Sequence, residues 1–166
     1  MGHITIEKEI AAPVETVFAY VDDHENTTKY MKGLTKWAPT TDVVHGKDAE
    51  FEVVMKAGPK DLGSVVHITA WTENKTIAWK SVDGFKQTGK WAFTKKGDRT
   101  HVVFDMEYDL GGGIAGKMLG KVAEPVVRGN LEQSVNDLKA QTEKLKAKPA
   151  AAKPAAKKPA AKPAKR

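Results

Sequence analysis

The chain reads as an α+β domain in which a curved antiparallel sheet is closed by one long C-terminal helix. Two observations predict the sheet. Large apolar side chains recur at every second position through Phe51, Val53, Met55, then Ile77, Trp79, then Trp91, Phe93, then Phe104, Met106, Tyr108. The links between these runs are Gly58-Pro59-Lys60-Asp61, Glu73-Asn74-Lys75, Asp83-Gly84 and Lys96-Gly97-Asp98. Links this short hold no crossover helix, so the neighbours must be antiparallel hairpins. The third observation is a segment of helical period that opens after Gly111-Gly112-Gly113 and reaches Leu145. A sheet wrapped on such a rod has room to enclose a pocket.

The elements follow in order. Residues 3–10 alternate as a strand, with Ile4, Ile6, Lys8 and Ile10 on one side. Pro13 suits a first helical turn and Glu15 adds favourable charge there, ahead of an apolar stripe at Val14, Val17, Phe18 and Val21. The run Asp22-Asp23-His24-Glu25-Asn26 ends that helix and caps a second short one carrying Tyr30, Met31 and Leu34. A short strand is expected near Leu34 to Thr41. Longer ones are expected at about 48–57, 62–72, 75–82, 86–95 and 99–110. In the last helix Ile114, Met118, Val122, Val126, Leu131, Val135 and Leu138 read as one slightly drifting stripe, bent locally at Pro125.

Composition divides the chain at Lys146. The body, residues 1–145, holds all 21 acids beside 19 bases, so it is near −2, while residues 146–166 carry eight bases. The formal +6 therefore belongs to the Lys/Ala/Pro-rich tail, which has no acid and no large apolar residue and is expected to be disordered. Such a tail makes weak, salt-dependent contact with polyanions, nucleic acid or an anionic membrane surface, or serves as a solubilising spacer. It has no aromatics to stack bases. The absence of cysteine excludes disulfides and thiolate chemistry and is compatible with a reducing cytoplasm. No run approaches the roughly 20 apolar residues of a membrane span, so no transmembrane segment is expected.

The opening strand, then Ile10-x-Ala12-Pro13-x-x-x-Val17-Phe18, then Asn26, Tyr30 and Trp37, resembles the start of a START-like (SRPBCC) protein. The likeness runs from Thr5 to about Leu138 and is nearest to the polyketide cyclase/dehydrase branch, itself similar to coenzyme Q-binding and lipid-transport proteins. It implies a helix-grip (Bet v 1-like) fold. That fold has a seven-stranded curved antiparallel sheet, two short helices after the first strand, and a ligand between the sheet and the long terminal helix. The tail resembles those of actinobacterial proteins.

Strand parity turns Phe51, Met55, Val66, Trp79, Trp91, Phe93, Met106 and Tyr108 inward, and Met118 and Val122 are expected to face them from the helix. Most inward side chains serve as core; Trp79, Trp91 and Tyr108 carry polar atoms that suit a cavity lining better than a dry centre. Phe85, on a turn, is placed to close over a ligand. Arg128 is a candidate to hold an oxygen at the mouth. The expected lip is Gly58 to Asp61, the Gly84-Phe85 turn and Gly111 to Gly113.

Catalytic chemistry is less legible. His3, His24, His45, His67 and His101 form no ligand spacing, so neither a metal nor a cofactor is expected. His67, His101, Asp105, Glu107 and Asp109 fall on the outward parity, beside Lys80 and Lys90. The glycine run lacks the ending of a phosphate loop. Three functions follow: carriage of a small hydrophobic or aromatic molecule such as a lipid, polyketide or quinone-like compound; cyclase, aromatase or dehydratase action on a polyketide-like substrate; or an interaction role for the basic tail. The first is preferred, because an aromatic lining is present and no catalytic constellation is apparent.

Overall fold

The computed structural model describes residues 2–147. Residues 148–166, which hold most of the basic tail and with it the expected polyanion contact, lie outside the described residues. One seven-stranded antiparallel sheet runs in the order β1-β7-β6-β5-β4-β3-β2. Its strands are β1 (Gly2–Ile10), β2 (Leu34–Pro39), β3 (Glu50–Ala57), β4 (Lys60–Thr72), β5 (Thr76–Gly84), β6 (Lys86–Lys96) and β7 (Arg99–Asp109). The helices are α1 (Val14–Asp22), α2 (Thr27–Tyr30) and α3 (Gly113–Ala147), with a 3-10 turn at His24–Asn26. This is the helix-grip α+β architecture, and the strand limits fall within two residues of the expected ones wherever turn chemistry set them.

Period-two alternation is followed closely. Phe51, Val53, Met55, Val66, Ile68, Ile77, Trp79, Trp91, Phe93, Phe104, Met106 and Tyr108 are all buried on the concave face. The intervening positions carry the charged outer face. There Lys90 stands opposite Asp105, His67 pairs with Asp48 and Glu50, and His101 with Glu7 and Glu9.

The two ends of the concave groove differ. At one end α1 acts as a plug. Phe18 packs edge-on against Trp71 and Phe93 at 5.6 and 5.3 Å. The Asp22 carboxylate accepts a hydrogen bond from Trp71 Nε1–H at 2.8 Å. A void of only about 40 Å³ remains there, between Trp37, Phe51, Ile68, Trp71 and His45. That is room for water rather than for an organic guest.

The single stripe expected along α3 divides into two. Ala123, Val127, Leu131, Val135 and Leu138 are buried, whereas Ile114, Met118, Val122 and Val126 are exposed. Each exposed residue precedes a buried one by nine positions: 114 and 123, 118 and 127, 122 and 131, 126 and 135. Nine residues are about two and a half turns, which puts the two sets on opposite faces of one helix. The inward placement of Met118 and Val122 is therefore corrected. Ala123 and Val127 hold the core-facing positions in that half of the helix.

Candidate functional site

The other end of the groove is open. The start of β4, the β5–β6 turn and the β7–α3 link converge there; of the expected lip, Asp61, Gly84-Phe85 and Gly111-Gly112 line it, whereas Gly58 to Lys60 do not. Together with Leu119 of α3 they border a cleft of about 560 Å³, lined by Leu62, Gly63, Gly84, Phe85, Leu110, Gly111 and Gly112 and rimmed by Asp61, Lys86 and Asp109. That volume lies within the roughly 300–1,000 Å³ of small-molecule sites.

Glycine builds this mouth at one point. Gly84 has φ +78°, and a Cβ on it would stand 2.4 Å from the Gly63 carbonyl oxygen. Only glycine passes the turn that close to β4. The turn then presents Phe85, half-buried, whose N–H donates to Gly63 O at 2.9 Å and whose ring centroid lies 6.3 Å from that of Tyr108.

Behind Phe85 the concave face becomes polar. Trp79 Nε1–H donates to Gln87 Oε1 at 3.3 Å, and Gln87 Nε2–H donates to Ser64 Oγ at 3.1 Å. Gln87 and Ser64 are both buried. The Trp79 indole lies over Gly89 of β6, where a Cβ would approach its ring to 2.1 Å. Sequence reading missed Gln87 and Ser64 because polar side chains were not sought at inward positions. The alternation that places Trp91 inward, extended back through Gly89, would have reached Gln87.

Tyr108 completes the cluster. Its ring crosses Gly2 of β1, and its Oη is buried. Burial pushes its pKa above the ordinary tyrosine value; the Glu124 carboxylate adds to the shift by its charge and as the nearest side-chain acceptor for the hydroxyl, and Arg128 opposes it. The hydroxyl is therefore protonated at neutral pH and able to donate. Arg128 itself is exposed on α3, and its charge acts on the Tyr108 hydroxyl.

Phe51, Met55, Val66, Trp79, Trp91, Phe93, Met106 and Tyr108 thus share the concave face, and Phe85 stands at its mouth. Phe51 and Phe93 belong to the plugged end, against Trp37 and Phe18 respectively. Met118 and Val122 are turned outward. Among the described residues no group of acidic or histidine side chains is arranged to hold a metal ion.

A curved antiparallel sheet gripped by one long terminal helix is the architecture to set beside known proteins. The family described as polyketide cyclase/dehydrase and lipid transport matches residues 1–143. The chain belongs to this family. Among solved structures it is similar to TTHA0849 of Thermus thermophilus, with 24% identity and a TM-score of 0.73 over 85% of this chain and 97% of that one. It is similar also to the Zhui aromatase/cyclase of Streptomyces sp. R1128, with 14% identity and a TM-score of 0.73 over 87% and 94% of the two chains. A START superfamily protein of Mycobacterium smegmatis shares 21% identity, with a TM-score of 0.64 over 86% and 98%. At these identities the likeness is one of fold. No curated protein matches the chain in sequence. As a member of the family, the protein has a fold of the ligand-cavity type, of hydrophobic ligand-binding character.

Proposed function

We propose that the protein binds and carries a small hydrophobic or aromatic molecule in the groove between the sheet and α3. The observation that supports this most is the open cleft of about 560 Å³ at this end of the sheet, lined by Leu62, Phe85, Leu110 and Leu119. The guest enters between Gly84-Phe85 and Leu119, lies against Trp79 and Met106, and turns a polar atom toward Tyr108 and Gln87. Apolar surface supplies the affinity and these few polar atoms fix the orientation. Extraction of the purified protein and native mass spectrometry test the reading, with titration by an apolar fluorescent probe as a second arm. Saturable binding, weakened when Phe85→Ala opens the mouth and Met106→Trp fills the groove, is expected. No retained compound and no saturable binding would overturn it.

A second reading rests on the Tyr108 hydroxyl alone. A buried, protonated phenol is suited to polarise a carbonyl oxygen of a bound polyketide-like substrate, as a cyclase or dehydratase step needs. Tyr108→Phe separates the two readings. If the protein is a carrier, the variant loses at most the affinity of one hydrogen bond, because apolar surface holds the guest. If it is an enzyme, the variant binds but its turnover falls.

A further inference from the structure

Five large apolar side chains are exposed among the described residues: Val82 (56%), Ile114 (79%), Met118 (63%), Val122 (59%) and Val126 (42%). Four of them form the outward stripe of α3, and Val82 stands two residues before the Gly84-Phe85 turn of the mouth. Packing the core does not require this stripe, because Ala123, Val127 and Leu131 already satisfy the inward face.

Charge marks one flank of it. Lys117, Lys121 and Arg128, spaced four and seven apart, form a row along one side of the helix. None of the three makes an ion pair among the described residues. Glu124 is the one acid between Leu110 and Leu131. The β3–β4 turn, with Lys60 beside it, lies next to the stripe: a Cβ on Gly58 would stand 3.8 Å from Val122 Cγ1.

An apolar stripe with a basic flank matches a helix lying in the plane of a lipid headgroup layer. The basic tail is a poor occupant of the stripe, since it has no large apolar residue and carries the same sign of charge. A second copy is little better, because an isologous contact brings one basic row beside another with few carboxylates to meet them. An anionic bilayer supplies both an apolar interior and the opposite charge.

We propose that the outward face of the first half of α3 docks on an anionic lipid bilayer, with Ile114, Met118, Val122 and Val126 in the acyl boundary and Lys117, Lys121 and Arg128 among the phosphates. The eight bases of residues 146–166 add attraction to the same surface without insertion. Docking holds whether or not the groove carries a guest.

The absence of native cysteine makes the test clean. Full-length Met118→Cys carries an environment-sensitive nitrobenzoxadiazole label, and Thr94→Cys on the exposed outer face of β6 is the control. Each is mixed with phosphatidylcholine vesicles, with and without phosphatidylserine. A blue shift at position 118 alone, dependent on phosphatidylserine, is expected. Full-length Met118→Gln/Val122→Gln, with its melting temperature unchanged, should partition onto the anionic vesicles at least about tenfold more weakly. Equal shifts at both labels, no shift at either, or undiminished partition of the double variant would overturn the proposal. A label at 118 that is already blue-shifted without lipid in a concentration-dependent dimer would overturn it too, in favour of self-association. Loss of small-molecule binding leaves these readouts untouched, so the two proposals fail separately.

Discussion

The two halves of α3 are one continuous helix under opposite conditions. The second half is pinned to the plugged end of the groove. Leu131, Ser134, Val135, Leu138 and Thr142 are almost wholly buried. Ser134 Oγ accepts the Lys32 N–H at 2.6 Å, Glu143 Oε2 accepts the Ala11 N–H at 2.7 Å, and Gln141 bridges the Tyr20 hydroxyl and the Lys29 carbonyl. The first half has Gly113, Gly116, Gly120 and Pro125 in its backbone, little buried apolar area, and its large side chains turned outward. The contrast shows that helical pattern alone does not locate stability. A regular helix is held only as firmly as the face it buries.

The largest expected difference comes from truncation. Leu131→Ala should cost about 2–5 kcal/mol, because a fully buried leucine leaves a cavity in a region cross-braced on all sides. Val122→Ala should stay within about 0.5 kcal/mol. Urea denaturation of both variants measures the gap, and equal costs would break the distinction between the halves.

Removing a tether should cost less than removing core. Ser134→Ala leaves the Lys32 N–H without its side-chain acceptor and should lower stability by about 1–3 kcal/mol. Lys121→Ala, across the helix in the loose half, should be nearly silent in the same urea titration.

A smaller effect is expected in acid. The Lys139 ammonium beside Glu143 holds its carboxyl below the usual range; desolvation opposes this, and the Ala11 N–H and the charges of Lys139 and Arg99 add to it. The unfolded chain therefore takes up this proton at higher pH than the folded one does. The stabilisation is complete above the ordinary glutamate range and is lost as the pH falls through the depressed value. Between about pH 6 and about pH 3 the urea midpoint of the native chain should fall more steeply than that of Glu143→Gln. Parallel profiles would remove Glu143 from the set of anchors.

Much of the sheet was legible in the sequence because its signals are local. Alternation set the inward face, and glycine and asparagine turns set the hairpins. The phase of α3 was not legible. A spacing of four looks the same on either face of a helix, and only the nine-residue offset to Ala123, Val127, Leu131 and Val135 separates the stripes. The polar cluster of Ser64, Gln87 and Tyr108 was half legible. Tyr108 was found by its inward parity and its polar atom, while Gln87 and Ser64 occupy inward positions where polar side chains were not sought. The plug involving Asp22, His45 and Trp71 depends on how the β2–β3 loop returns over α1, which no local pattern encodes.

Hydrogen exchange along α3, with and without a saturating apolar probe, tests most directly whether its first half covers an open groove. Residues 114–126 should exchange fast in the free protein and slow markedly when the probe binds, while residues 131–142 stay protected in both states. Uniform protection along the helix, or a fast first half indifferent to the probe, would contradict the account.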